Sequence, residues 1–180
     1  MLTEWLGSEL TDRHDYQDFF ATGDLHDWMR ACYNHEALPQ PLAVSMTRDL
    51  VRAVHFLHTR VGIVHGDIKP ENVLVRRSEN SYHAEVVDFG LSWCATMDPD
   101  ADGVIHSDWT PDVPLPILPN GQQGTTAYMS PEVIVDGIRG PWQDWWAVGL
   151  VAGFMAFGPT NVSLCQRRVI SADAYPIESI

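Results

Sequence analysis

The residues best suited to chemistry lie in one short stretch, His65-Gly66-Asp67-Ile68-Lys69-Pro70-Glu71-Asn72. Asp67 offers a carboxylate, Lys69 a cation and Asn72 an amide oxygen. Phosphoryl transfer needs such a set: a group to orient a hydroxyl and take its proton, a positive charge on the moving phosphoryl, and an oxygen ligand for Mg²⁺. Asp88-Phe89-Gly90 follows sixteen residues after Asn72. A hard cation prefers oxygen donors, and Asp88 can add its carboxylate to the Asn72 oxygen. Two more segments complete the pattern, Gly124-Thr125-Thr126-Ala127-Tyr128-Met129-Ser130-Pro131-Glu132 and Asp144-Trp145-Trp146-Ala147-Val148-Gly149.

Each residue also has a plainer reading. Asp67 can be a turn-former after Gly66, Asn72 a cap on the next strand, His65 a packed core histidine and Asp144 an N-cap. Asp88-Phe89-Gly90 is short enough to occur by chance. Lys69 stands apart, because it is the one lysine in a chain with ten arginines.

The elements that must position these groups follow from periodicity. Asp24 is placed to cap a short helix whose apolar face is Leu25, Trp28 and Met29. After a linker at 38–41, Leu42, Met46, Leu50, Val54 and Leu57 draw one stripe along a helix from about Leu42 to His58, ended by Gly62. Ile63-Val64, Val73–Val75 and Glu85–Val87 read as short strands. Residues 95–123 hold five prolines and read as a long surface loop. The 13-residue apolar run Trp145–Phe157 is too short to span a membrane, which takes about 20 residues. It reads as a buried helix beginning near Asp144.

Composition sets further bounds. In 180 residues, 24 acidic and 11 basic side chains leave a formal charge of -13, which disfavours nucleic acid and anionic membranes as partners. The 45% apolar content permits a real core and excludes a disordered acidic tail. Cys32, Cys94 and Cys165 are scattered without CxxC spacing, which favours a reducing compartment. With no leader at the N-terminus, the expectation is a soluble, cytoplasmic chain.

Taken in order, the four segments resemble the C-terminal lobe of a eukaryotic-type serine/threonine protein kinase. HGDIKPEN resembles the catalytic loop, DFG the metal-binding motif, SPE the family's APE, and DWWAVG the start of its central helix. The resemblance implies a mainly α fold with small β-hairpins, a kinase-like C-terminal lobe that is incomplete. Residues 1–180 would form a partial kinase domain, with 1–6 a hinge remnant, 24–158 the lobe core and 88–132 the activation segment. It implies ATP and Mg²⁺ as cofactors and a protein as substrate. Asp67 would be the catalytic base, Lys69 would steady the γ-phosphoryl group, and Asn72 and Asp88 would hold Mg²⁺. Leu74 would touch the adenine from below, and Thr125 would hydrogen-bond towards Asp67 and Lys69. Phe89 would pack against His65, Asp144 would brace the catalytic loop, and Glu132 would anchor the end of the activation segment. Asp67 and Asp88 are expected to face a shared pocket.

The departures from the family are specific. Gly66 replaces the arginine that in the family pairs with an activation-loop phosphate, so activation is expected not to use that pairing. No GxGxxG occurs, and no second lysine is available for the α- and β-phosphates. The nucleotide-binding lobe and the last helices are therefore expected to be missing. Catalysis would be impaired, Glu132 would lack its usual basic partner, and apolar surface would stand open to a covering partner, at about 25 cal/mol per Å² of burial forgone. Two alternatives remain at this point. One is a non-catalytic pseudokinase or fragment acting as a binding module. The other is a small-molecule phosphotransferase of the aminoglycoside or choline type, which shares HGDxxxxN and the glycine at 66 but not Lys69, DFG or the GTTAYMSPE and DWWAVG segments.

Overall fold

Helix α1 (Leu25–Tyr33) begins where Asp24 accepts a hydrogen bond from the Asp27 N–H at 2.8 Å, the cap its position predicts. The computed structural model describes residues 23–78, 81–94 and 124–159. The predicted apolar face of α1, Leu25, Trp28 and Met29, is buried. Asn34 closes the helix with φ 49°, a left-handed conformation that asparagine tolerates.

Helix α2 (Gln40–Phe56) starts two residues earlier than its stripe predicts. Pro41 lies inside the first turn, where its missing N–H costs nothing, so the 38–41 segment runs into the helix instead of standing as a linker. Ala43, Met46, Leu50 and Val54 are buried. A wider π turn, Leu57–Val61, carries the chain on to Gly62, whose φ of 70° ends it.

Among the described residues, two antiparallel pairs provide the β strands. Strand β1 (Ile63–Val64) pairs with β4 (Trp93–Cys94), Val64 lying opposite Trp93. Strands β2 (Val73–Ser78) and β3 (Ser81–Val86) form a hairpin with Val73 opposite Val86. Along β2, Val73 and Val75 point inward while Leu74 and Arg76 are only partly covered, the alternation a half-buried strand requires. Asp49 of α2 accepts from the Ala84 N–H at 3.3 Å and faces His83 at 3.1 Å, tying helix to hairpin.

Helix α3 (Pro131–Val135) is short, and α4 (Trp142–Phe157) is the central helix. It starts two residues before Asp144, so Asp144 occupies its first turn and is not its N-cap. Ala147, Val148, Val151, Phe154 and Met155 pack on Leu25, Met29, Met46, Leu50 and Val54 in one core. Burial of each large side chain contributes about 1.5–3 kcal/mol. Burial is less complete than the apolar run suggests, since Trp145 and Phe157 are exposed. Val44 and Phe157 border an apolar groove between α2 and α4 that also includes Leu38, Ala43, Ala152 and Ala156. Among the described residues no helix is long and apolar enough to cross a membrane. The expected hinge remnant at 1–6 and the loop at 95–123 lie outside the described residues.

Candidate active site

Strand β1 delivers the chain into the loop 65–72, and Asp144 fixes the loop's backbone from below. Its Oδ2 accepts the His65 N–H at 2.8 Å and its Oδ1 the Gly66 N–H at 2.9 Å. His58, in the π turn, sets its Nε2 at 2.8 Å from the same Oδ2. Asp144 is 1% exposed, so these bonds replace the water it gave up. Its place in the first turn of α4 also puts the negative charge at the favourable end of the helix dipole.

His65 is fully buried and works as a connector. Its Nδ1 accepts the Asp67 N–H at 3.3 Å, so its Nε2 carries the proton and donates to the Val87 carbonyl at 3.0 Å. That assignment makes the ring neutral, a structural histidine and not a base. Phe89 packs on it with ring centroids 5.0 Å apart. The Ser92 hydroxyl donates to the His65 carbonyl at 3.0 Å.

Four of the predicted site residues meet at Asp67. Its Oδ2 accepts from Lys69 Nζ at 2.8 Å and from Asn72 Nδ2 at 3.1 Å, and its Oδ1 accepts from the Thr125 N–H at 2.8 Å. Asn72 also donates to the Asp67 carbonyl at 2.8 Å. Lys69 Nζ donates to Thr125 Oγ1 at 2.8 Å, joining segments 56 residues apart in the chain. Burial pushes the Asp67 carboxyl up, but the Lys69 hydrogen bond and charge and the two bonds from Thr125 outweigh it. The carboxyl ends below its ordinary value.

Asp88 is exposed, with φ 64°, and its Oδ1 accepts the Gly90 N–H at 3.2 Å. Its position is set one residue earlier. The Val87 N–H donates to the Asn72 carbonyl at 2.9 Å while the Val87 carbonyl takes His65. The narrow void of about 10 Å³ beside Asp67 is lined by Gly66, Ile68, Thr125, Tyr128 and Asp144 among others. Asp88 is not on its wall, so this void is not the shared pocket expected from the motifs. The link between Asp67 and Asp88 runs through the backbone at Val87 and Asn72.

The remaining predicted residues stand farther out. Leu74 is partly covered on β2, opposite Glu85 and bridged to Asp24. Glu132 is exposed in α3, and its carbonyl accepts the N–H groups of Asp136 and Ile138. Three site neighbours escaped the sequence reading: His58, Trp93 and Arg139. His58 had a signal, since it falls four residues after Val54 on the apolar stripe. Trp93 and Arg139 had none.

The protein kinase domain family model matches residues 11–172. A CBL-interacting protein kinase 33 from Oryza sativa subsp. japonica is 30% identical over 177 residues, covering 94% of this chain and 34% of its own length. A CBL-interacting serine/threonine-protein kinase 2 from Arabidopsis thaliana is 35% identical over 142 residues, 76% of this chain and 27% of its own. The serine/threonine-protein kinase MRCK gamma of Homo sapiens is 32% identical over 148 residues, 79% of this chain and 8% of its own. The chain therefore spans about a third or less of the length of these curated relatives. With a family model matched over most of its length, the chain belongs to the protein kinase domain family.

Proposed function

We propose that this chain carries the catalytic lobe of a serine/threonine protein kinase, which moves the γ-phosphoryl group of ATP to a serine or threonine hydroxyl of a protein. The observation that carries the reading is the Asp67 carboxylate, held ionised and oriented by Lys69, Asn72 and Thr125. A carboxyl below its ordinary pKa is a weak base, which suits this chemistry. The transition state of phosphoryl transfer is loose, so aligning the hydroxyl matters more than early proton removal. Asp67 would orient the substrate hydroxyl and accept its proton late. Lys69 would turn its charge from Asp67 to the transferred group, with Thr125 guiding its ammonium.

The donor chemistry suits Mg²⁺. Both N–H groups of Asn72 are spent on Asp67, leaving its amide oxygen as a ligand, and Asp88 adds an exposed carboxylate. Bound there, Mg²⁺ would neutralise charge on the ATP phosphates. Leu74 would lie under the adenine, Phe89 would hold the metal loop on His65, and Glu132 would anchor the end of the activation segment, 88–132. A partner polypeptide over the open lobe face is part of the same reading, supported by the exposed apolar groove at Val44 and Phe157. A reducing, cytoplasmic setting agrees with the exposed free thiol of Cys32.

The test is phosphoryl transfer by the full-length protein with Mg²⁺, ATP and a panel of serine- and threonine-containing peptides. Asp67→Asn should cut kcat by about 10²–10⁴-fold. Equal turnover by that variant, or transfer to an aminoglycoside or choline and to no peptide, would overturn the reading.

A further inference from the structure

Gly66 holds φ 83°, and the place a Cβ would take is already filled. Trp93 Cζ3 stands 2.6 Å from that point, the Leu91 carbonyl oxygen 3.0 Å and Arg139 Nη2 3.2 Å. The Arg139 guanidinium carbon lies 4.0 Å from the centre of the Trp93 ring. Three segments distant in sequence thus meet at one point: the loop carrying Asp67, strand β4 just after Asp88-Phe89-Gly90, and the turn between α3 and α4.

Arg139 is 4% exposed, and a guanidinium buried that far must be compensated. Burial pushes its pKa below the ordinary value, and the Asp144 charge offsets only part of that fall. The face of Trp93 supplies a second attraction, strongest where water is excluded. The strand register places Trp93 to receive it, since pairing with Val64 sets the indole two residues from Gly66. A side chain at 66 would push the indole away and open the stack.

We propose that Arg139 is a positioning residue: its guanidinium, stacked on Trp93 beside Gly66, fixes the start of the activation segment against the loop that carries Asp67. The cation comes from the turn that follows the activation segment, so it ties the segment's start to the chain just beyond its end. Only the kinetic arm of the test below rests on the proposed phosphoryl transfer.

The experiment measures amide hydrogen exchange and peptide-kinase kinetics of the full-length protein, three single variants and one double variant. Arg139→Met should exchange about tenfold faster at residues 91–94 with α2 unchanged, and kcat should fall about tenfold with both KM values within about twofold. Trp93→Leu should do the same, and the double variant should be no worse than either single one. Arg139→Lys, which keeps a cation over the ring, should stay within about threefold of wild type. Unchanged exchange at 91–94 in Arg139→Met and Trp93→Leu, or additive losses in the double variant, would overturn the proposal. Should Arg139→Met lose protection throughout α2, the other two single variants decide. Local loss in Trp93→Leu with a wild-type-like Arg139→Lys supports the stack, and the opposite pattern sinks it. A wild-type protein that transfers no phosphoryl group refutes the kinase reading, while the exchange arm still decides the stack.

Discussion

Asp144 receives the backbone N–H of His65 at 2.8 Å across 79 residues of chain, and with its second oxygen the N–H of Gly66 at 2.9 Å. The central helix therefore holds the loop 65–72 through one carboxylate and two main-chain donors. Neither donor depends on the side chain at 65 or 66, so the bracing survives the unusual glycine at 66.

That arrangement predicts a large effect from a small change. Asp144→Asn keeps the shape but turns one oxygen into a donor facing a donor. It leaves a buried N–H unmet and removes the charge near His58 and Arg139. Unfolding by denaturant should show a loss of about 3 kcal/mol, the scale for hydrogen bonds to a buried charge. A loss below about 0.5 kcal/mol, the range of ordinary surface changes, would mean that Asp144 does not hold the loop.

Lys69 makes a prediction about pH. Its hydrogen bond and charge help keep the Asp67 carboxyl below its ordinary value against the pull of burial. A depressed carboxyl pKa stabilises the fold above the unfolded-state value and loses that contribution as pH falls through the folded value. In wild type the acid limb of the pH–kcat/KM profile, which reports the free enzyme, should lie below the usual carboxylate range. Lys69→Met removes the lowering partner and leaves burial in place, so Asp67 should titrate higher and the acid limb should move up. The same variant should lose stability near neutral pH and little below the ordinary carboxylate pKa. An acid limb of kcat/KM that stays in place, measured at peptide concentrations well below KM, would show that Lys69 does not set the charge on Asp67.

The contacts around Asp67 are largely legible in the sequence, because they are carried by residues close in sequence or in distinctive strings. The helix faces were legible for a similar reason: Met46, Leu50 and Val54 repeat with the helix period and are buried. What sequence could not give was the third dimension of single residues. Asp144 carries two readings, an N-cap by its place before an apolar run and a brace for the loop by resemblance; the helix begins two residues earlier, so the cap reading fails, while the carboxylate does meet the loop backbone. The 38–41 segment looks like a linker because proline usually punctuates, yet Pro41 is accepted in a first helical turn. The Trp93–Arg139 contact joins residues 46 positions apart with no shared motif, so no period or spacing announces it.

Gly66 shows the same gap between string and structure, and it yields the last prediction. In sequence it registers as a missing arginine. In three dimensions a left-handed backbone, with an indole edge 2.6 Å from where a Cβ would lie, requires that nothing be there. A non-glycine residue in that conformation costs about 1–2 kcal/mol. Moving the indole adds to this, because Trp93 is held by strand pairing and by Arg139 and is not a free side chain. Gly66→Ala should therefore destabilise by about 2 kcal/mol or more, beyond the backbone cost alone. Gly66→Arg, which restores the family's usual residue, should be worse than alanine and should not raise activity, since Arg139 and Trp93 already fill the space it needs. Thermal or denaturant unfolding of the two variants beside wild type checks the order. An arginine variant more stable or more active than wild type would mean that the loop can open at 66 and that the close packing there is not obligatory.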